Sequence, residues 1–248
     1  MESIVNSKII ITESVEELSL HFAKILQNDV NKSNSFFNIA LSGGSTPKSV
    51  FDYLADNFKS TIEWSKIHFF WGDERCVPPD HEESNYLMTY KHLFSKIEIP
   101  EKNIFRIEGE REPELEVVRY SNIILQNIPL VNNIPSFDLI MLGLGEDGHT
   151  ASIFPDRIDL INTKAICATA QHPVTQQKRI TLTGNVINNS KKVVFLITGN
   201  SKNKIVDTIL NKKEGFEKLP ASYINPFNGE LIWLLDRDAG KGLSISTI

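Results

Sequence analysis

The chain has 248 residues, a formal net charge of -5, and 41% hydrophobic and 23% charged residues. This composition is ordinary for a globular protein, and it argues against broad nucleic-acid binding, which needs a basic face. No apolar run approaches the roughly 20 residues that span a bilayer.

The first twenty residues, "MESIVNSKIIITESVEELSL", lack a basic start followed by a long apolar core. No leader is expected, and the protein is read as cytoplasmic. "KIIIT" (8–12) is a β-branched run, after which Val15, Leu18, Phe22, Ile25 and Leu26 recur at helical spacing. "FFNIAL" (36–41) predicts a buried strand, followed by "SGGST" and a helix from Pro47. "KIHFFWG" (66–72) predicts another strand, then a polar loop and a helix capped by Ser84. Val117, Tyr120, Ile124 and Leu125 mark a further amphipathic helix.

"FDLIMLGLG" (137–145), "AICAT" (165–169), "RITLT" (179–183), "KVVFLIT" (192–198) and "LIWLLD" (231–236) complete the strands, with a helix "SKNKIVDTIL" after the fourth. Such alternation predicts an α/β fold, a mostly parallel open sheet with helices on both faces. A single domain is expected, with a small subregion around 155–190 where two strands follow each other directly. A monomer is the expected assembly. Cys76 and Cys167 are far apart and form no Cys-x-x-Cys pair, so they are read as reduced thiols.

In open parallel sheets ligands bind at the carboxyl ends of the strands. The loops 42–46, 72–85, 143–150 and 199–202 all fall there. In the first, Gly43, Gly44 and Ser45 offer backbone amides at a helix N-terminus, a ready anion site, with Thr46 as the helix cap and Pro47 in its first turn. The plain alternative is a tight turn. In the second, Arg75 can grip a phosphate and Asp73 can hold a sugar hydroxyl or take part in proton transfer. A solvated charge cluster is the plain alternative.

The third loop, "GLGEDGHTASIFP" (143–155), spells G-x-G-x-x-G. A dinucleotide loop would open a long helix, yet Pro155 follows only seven residues after Gly148. No cofactor is therefore expected. His149 fits acid–base work better, since imidazole titrates near neutral pH, and Asp147 two residues earlier can orient it. A structural histidine is the alternative. Arg179 and Lys202 are further cations that can reach an anionic ligand at the same sheet edge; a surface charge is the plain alternative for each, and the default for Lys202. His21, His68, His81, His92 and His172 show no metal-ligand spacing, and no metal site is expected.

The stretches "LSGGSTP", "WGDERCVPPDHEESNY", "LGLGEDGHTASIFP", and "RITLT" with the later "TGNSK", taken together and in order, resemble the 6-phosphogluconolactonase family; the terminal "WLLDRDA" also looks like that family's closing segment. The resemblance covers nearly the whole chain. It implies a dinucleotide-domain-like three-layer fold shared with glucosamine-6-phosphate deaminases, and hydrolysis of 6-phospho-D-glucono-1,5-lactone to 6-phosphogluconate in the oxidative pentose phosphate pathway. In that setting His149 would activate water, with Asp147 and Asp73 assisting. Gly43, Gly44, Ser45, Arg75, Arg179 and Lys202 would bind the phosphate. The small-molecule lactone would be the partner.

The chain departs from the family where a Lys-Pro-Pro stretch is usual: here Thr175, Gln176 and Gln177 stand before the arginine, with Lys178 as a candidate substitute for the missing lysine. Two alternatives are carried. A glucosamine-6-phosphate deaminase would continue from the histidine through Phe-Asn-Glu-Pro, where this chain reads "SIFP" with no glutamate, and would follow its Asp-Glu with Tyr rather than Arg75. A non-catalytic sugar-phosphate sensor would carry an added DNA-binding segment.

Overall fold

The computed structural model describes residues 6–243. The five residues at each end lie outside the described residues, and with them the very start of the segment expected to carry no leader. Strand β1 (Asn6–Thr12) leads into α1 (Val15–Lys32), whose cap is Ser14; its hydroxyl accepts the Glu17 amide at 3.2 Å. Leu18, Phe22, Leu26 and Val30 form the buried stripe of α1, three to four residues apart as helix geometry requires. Strand β2 (Phe37–Leu41) is buried along its whole length, as a central parallel strand must be. Next come α2 (Ser45–Asn57), β3 (Ile67–Trp71), the short β4 (Asp73–Arg75) and α3 (Asn85–His92), which Ser84 caps as expected.

Helix α4 (Pro113–Asn127) differs from expectation. Tyr120 and Ile124 are fully buried, but Leu125 is 43% exposed, because one residue beyond Ile124 turns about 100° away from the sheet. The inward stripe instead includes Glu116, whose carboxylate is satisfied by Arg119 and by the Glu108 amide at 2.7 Å. A small hairpin, β5 (Leu130–Val131) and β6 (Ile134–Pro135), precedes β7 (Leu139–Leu142). Then follow β8 (Cys167–Gln171), β9 (Lys178–Leu182), a short α5 (Gly184–Asn188), β10 (Lys192–Ile197), α6 (Asn203–Leu210) and β11 (Glu230–Asp236).

Six strands form one sheet in the order β1-β11-β10-β7-β2-β3, every neighbouring pair parallel. The chain steps outward from β2 to β3, then returns to the other side of β2 as β7. Strand order therefore reverses between β2 and β7, and a crevice opens beyond their carboxyl ends.

A second sheet, β4-β9-β8, is antiparallel and grows from that edge. Gly72 joins the two: its amide donates to the Leu41 carbonyl at 2.8 Å, and its own carbonyl accepts the Leu182 amide at 2.7 Å. The residues 73–75, read from sequence as loop, thus become a strand because β9 supplies a ladder for them. Tyr120 closes the outer edge where β3 ends; its hydroxyl accepts the Trp71 amide at 2.8 Å and donates to the Trp71 carbonyl at 3.0 Å. Cys76 and Cys167 are free thiols, which burial pushes up to about 11 and about 12 respectively.

Candidate functional site

The crevice holds a cavity of about 300 Å³, the low end of the range usual for small-molecule sites. Gly43, Gly44, Ser45, Asp73, Arg75, His149, Arg179 and Lys202 all line it. Asp147 stands behind His149, outside the lining. Loops from four strand ends therefore converge, as their placement in the sequence predicts.

Gly44 is the N-cap of α2, with φ +114°, a conformation that favours glycine. Thr46 is not the cap, contrary to expectation. It lies inside the first turn, and its hydroxyl meets that of Thr198 at 2.7 Å. No side chain caps the helix, so its first amides are left for a ligand. Gly43 packs against Asn85 so closely that a Cβ there would sit 1.9 Å from Asn85 Oδ1.

The charged trio 73–75 divides its labour by strand alternation. Glu74 points inward and holds the start of α3, accepting the amides of Arg75, Asn85 and Tyr86, each at 2.8 Å, and the Ser84 hydroxyl at 3.0 Å. Burial pushes its carboxyl above the usual carboxylate range, against the opposing pull of those amides. Asp73 accepts the Ser152 hydroxyl at 2.5 Å, and its own carbonyl accepts Asn85 Nδ2 at 2.9 Å.

Arg75 stands directly opposite Arg179 in the β4–β9 ladder. Like charges in that relation repel. The Arg75 guanidinium donates to the Glu83 carbonyl, yet the Nε of both arginines is buried without a partner. Burial, and then Arg75, lower the Arg179 pKa from its ordinary value. Two cations with unused donors on one cavity wall have the chemistry that an anion requires.

The glycine-rich loop opens no helix. Gly145 donates to the His149 carbonyl at 2.9 Å, Gly148 donates to the Gly145 carbonyl at 3.1 Å, and the Thr150 hydroxyl donates to the Gly143 carbonyl at 2.9 Å. The result is a closed turn that projects His149. Asp147 Oδ1 lies 2.6 Å from His149 Nδ1 and also accepts the His149 amide at 3.1 Å. Burial raises the Asp147 pKa, but the hydrogen bonds and charge of His149 outweigh it and hold the carboxyl below its ordinary value. With Nδ1 engaged by a carboxylate, Nε2 is free to accept a proton.

Lys202 reaches the cavity from the turn Asn200–Lys202. Asp236, at the end of β11, anchors that turn by accepting the Gly199 amide at 3.0 Å and the Ala239 amide at 2.8 Å. Lys178 does not take the place of the missing lysine. It alternates away from Arg179 along β9 and lines a separate hollow with Cys76 and Gly109. Asn85, Ser152, Thr198 and His172 also belong to the site, and sequence reasoning missed them. Asn85, Ser152 and Thr198 stand inside the sequence motifs and His172 near one, but as single polar residues they carry no spacing of their own. Among the described residues, no group of three His, Cys, Asp or Glu side chains is arranged to hold a metal.

Fold and site together define an open-sheet α/β protein with a hydrogen-bonded Asp147–His149 pair and two facing arginines at the point where strand order reverses. The chain belongs to the family of glucosamine-6-phosphate isomerases and 6-phosphogluconolactonases, whose profile matches residues 12–233. It is 42% identical over 178 residues to a 6-phosphogluconolactonase of Treponema pallidum, covering 72% of this chain and 74% of that one. It is 41% identical to a 6-phosphogluconolactonase of Haemophilus influenzae, covering 87% and 92%. A crystal structure described as a devB protein superposes with a TM-score of 0.90 at 38% identity, covering 96% of this chain and all of the other.

Proposed function

We propose that the chain hydrolyses 6-phospho-D-glucono-1,5-lactone to 6-phospho-D-gluconate, in the oxidative pentose phosphate pathway. The observation that carries the mechanism is the 2.6 Å contact between Asp147 and His149 in the same crevice as the facing arginines. The substrate is a cyclic ester with a phosphate at its far end. Arg75, Arg179, Lys202 and the amides of Gly43, Gly44 and Ser45 bind that phosphate. His149 Nε2 takes a proton from a water as the water oxygen bonds to the lactone carbonyl carbon. The tetrahedral intermediate then collapses, the bond from carbon to ring oxygen breaks, and the imidazolium returns its proton to that oxygen. Asp147 holds the ring and stabilises the transient imidazolium, and Asp73 positions the sugar. General acid–base help of this kind contributes about 10²–10⁴-fold.

Phe154, the residue before Pro155, argues against the deaminase. Its ring lies 4.8 Å from that of His149, and it has no carboxylate to assist ring opening. The protein acts as a single-domain, cytoplasmic monomer. The buried hydrophobic residues form one cluster, which supports a single domain. No helix among the described residues is long and apolar enough to cross a membrane.

The test is a coupled assay on freshly made lactone, with spontaneous opening subtracted, comparing wild type with His149→Ala. Turnover should collapse while binding of 6-phosphogluconate persists. Near-normal turnover would remove His149 from the mechanism.

A further inference from the structure

We propose that His172 determines specificity in this reaction: its Nε2–H donates a hydrogen bond to the substrate phosphate. The proposal rests on the lactonase reading. His172 follows β8 directly, and its amide donates to the Gln177 carbonyl at 3.0 Å, which extends the β8–β9 ladder one pair beyond Gln171 and Lys178. Residues two apart on a strand share a face. Arg179 lies two beyond Gln177, so His172 shares the face of Arg179 and of its cross-strand partner Arg75, and all three line the cavity.

The polarity of the ring is set by its own loop. His172 Nδ1 accepts the amides of Val174 and Thr175, each at 3.2 Å. A nitrogen that accepts two N–H groups carries no proton, so the ring hydrogen resides on Nε2. Charging the ring would forfeit both bonds and add a third cation beside two guanidiniums. Burial, then Arg179, His149 and Arg75, lower its pKa accordingly, with Asp147 opposing. The ring is also held in place, edge-on to Phe154 with centroids 5.2 Å apart. Gln177 braces the loop through Glu83 at 2.8 Å. A fixed, neutral, donor-only group matches an acceptor-only ligand. A phosphate oxygen is one, whereas a sugar hydroxyl brings its own proton. The loop that joins β8 to β9 thus presents a donor without adding charge.

The experiment compares wild type, His172→Ala and His172→Gln. Calorimetry measures affinity for inorganic phosphate and 6-phosphogluconate, and kinetics are run on 6-phosphogluconolactone and on unphosphorylated glucono-1,5-lactone. In a folded His172→Ala, both phosphate probes should weaken about 10-fold, the strength of one hydrogen bond to a charged group. KM for the phosphorylated lactone should rise by the same factor with kcat nearly unchanged. The unphosphorylated lactone should be unaffected, and the amide donor of His172→Gln should restore most of the loss. Unchanged phosphate affinity, or equal losses on both lactones, overturns the proposal. A wild type that binds both probes but leaves the lactone intact would refute the lactonase reading, while the probe affinities still decide the role of His172.

Discussion

Arg75 and Arg179 face each other across two antiparallel strands, each with a buried Nε that finds no partner among the described residues. Like charges directly opposite destabilise a strand pair, and on the proposed function a bound phosphate would relieve this one. Arg179→Met should leave the ligand-free protein as stable as wild type, or more stable by up to about 1 kcal/mol. Phosphate at about 100 times its Kd should stabilise wild type by roughly 2.7 kcal/mol and the variant far less. Thermal melts with and without phosphate check this.

Gly145 leaves room for the Asp147–His149 pair. A Cβ there would sit 2.1 Å from His149 Nδ1 and 2.5 Å from Asp147 Oδ1. Both are ends of side chains, so Gly145→Ala should push the imidazole aside rather than unfold the loop. Stability should change by no more than about 1 kcal/mol, while kcat falls at least about 10² fold. Steady-state kinetics beside a denaturation curve separate the two effects.

Asp147 carries a signed pH prediction. Its folded pKa is below the ordinary 3.8, so its ionisation stabilises the fold above that value, and the contribution is lost as pH falls through the folded value. Asp147→Asn should therefore be less stable than wild type near neutral pH, with the gap closing below 3.8. Its kcat should drop about 10²-fold, less than the roughly 10⁴ of a buried orienting aspartate, because Asp147 is exposed. Urea titrations at several pH values and a kcat profile test both halves.

Glu74 acts at a distance from the cavity. Glu74→Gln replaces one acceptor oxygen with an NH2 group that must face backbone N–H donors. A loss of about 1–3 kcal/mol is expected. Asn85 and Asp73 should shift with the start of α3, raising KM. Chemical denaturation and KM measurements decide it; an unchanged KM would mean that α3 does not hold the site.

The strands of the main sheet, their mostly parallel order and the four loops at their carboxyl ends were legible in the sequence. Continuous apolar runs and helical spacing are local signals, and the motifs sit directly beside them. Strand β4 was not legible, because three charged residues form a strand only when β9 offers hydrogen bonds. The role of Thr46 was misread because a cap depends on which residue leaves the helical conformation, and Gly44 does so first.

Residue type and local spacing nominated His149, Asp147, Arg75 and Arg179 beside plain structural alternatives, and the resemblance of the combined motifs decided between them. Which of them meet was settled by folding. Asp147 reaches His149 because the turn closes through Gly145 and Gly148. Arg75 finds Arg179 because Gly72 hands the chain from one sheet to the next. Lys178 turns away because strand residues alternate. His172 joins them because the β8–β9 hairpin sets its register and the distant β4 pairs with β9 on the same face. The Asp147–His149 pair was anticipated from its spacing because its turn is local, whereas the meeting of Arg75 and Arg179 joins residues about a hundred positions apart, and no local pattern in the chain encodes it.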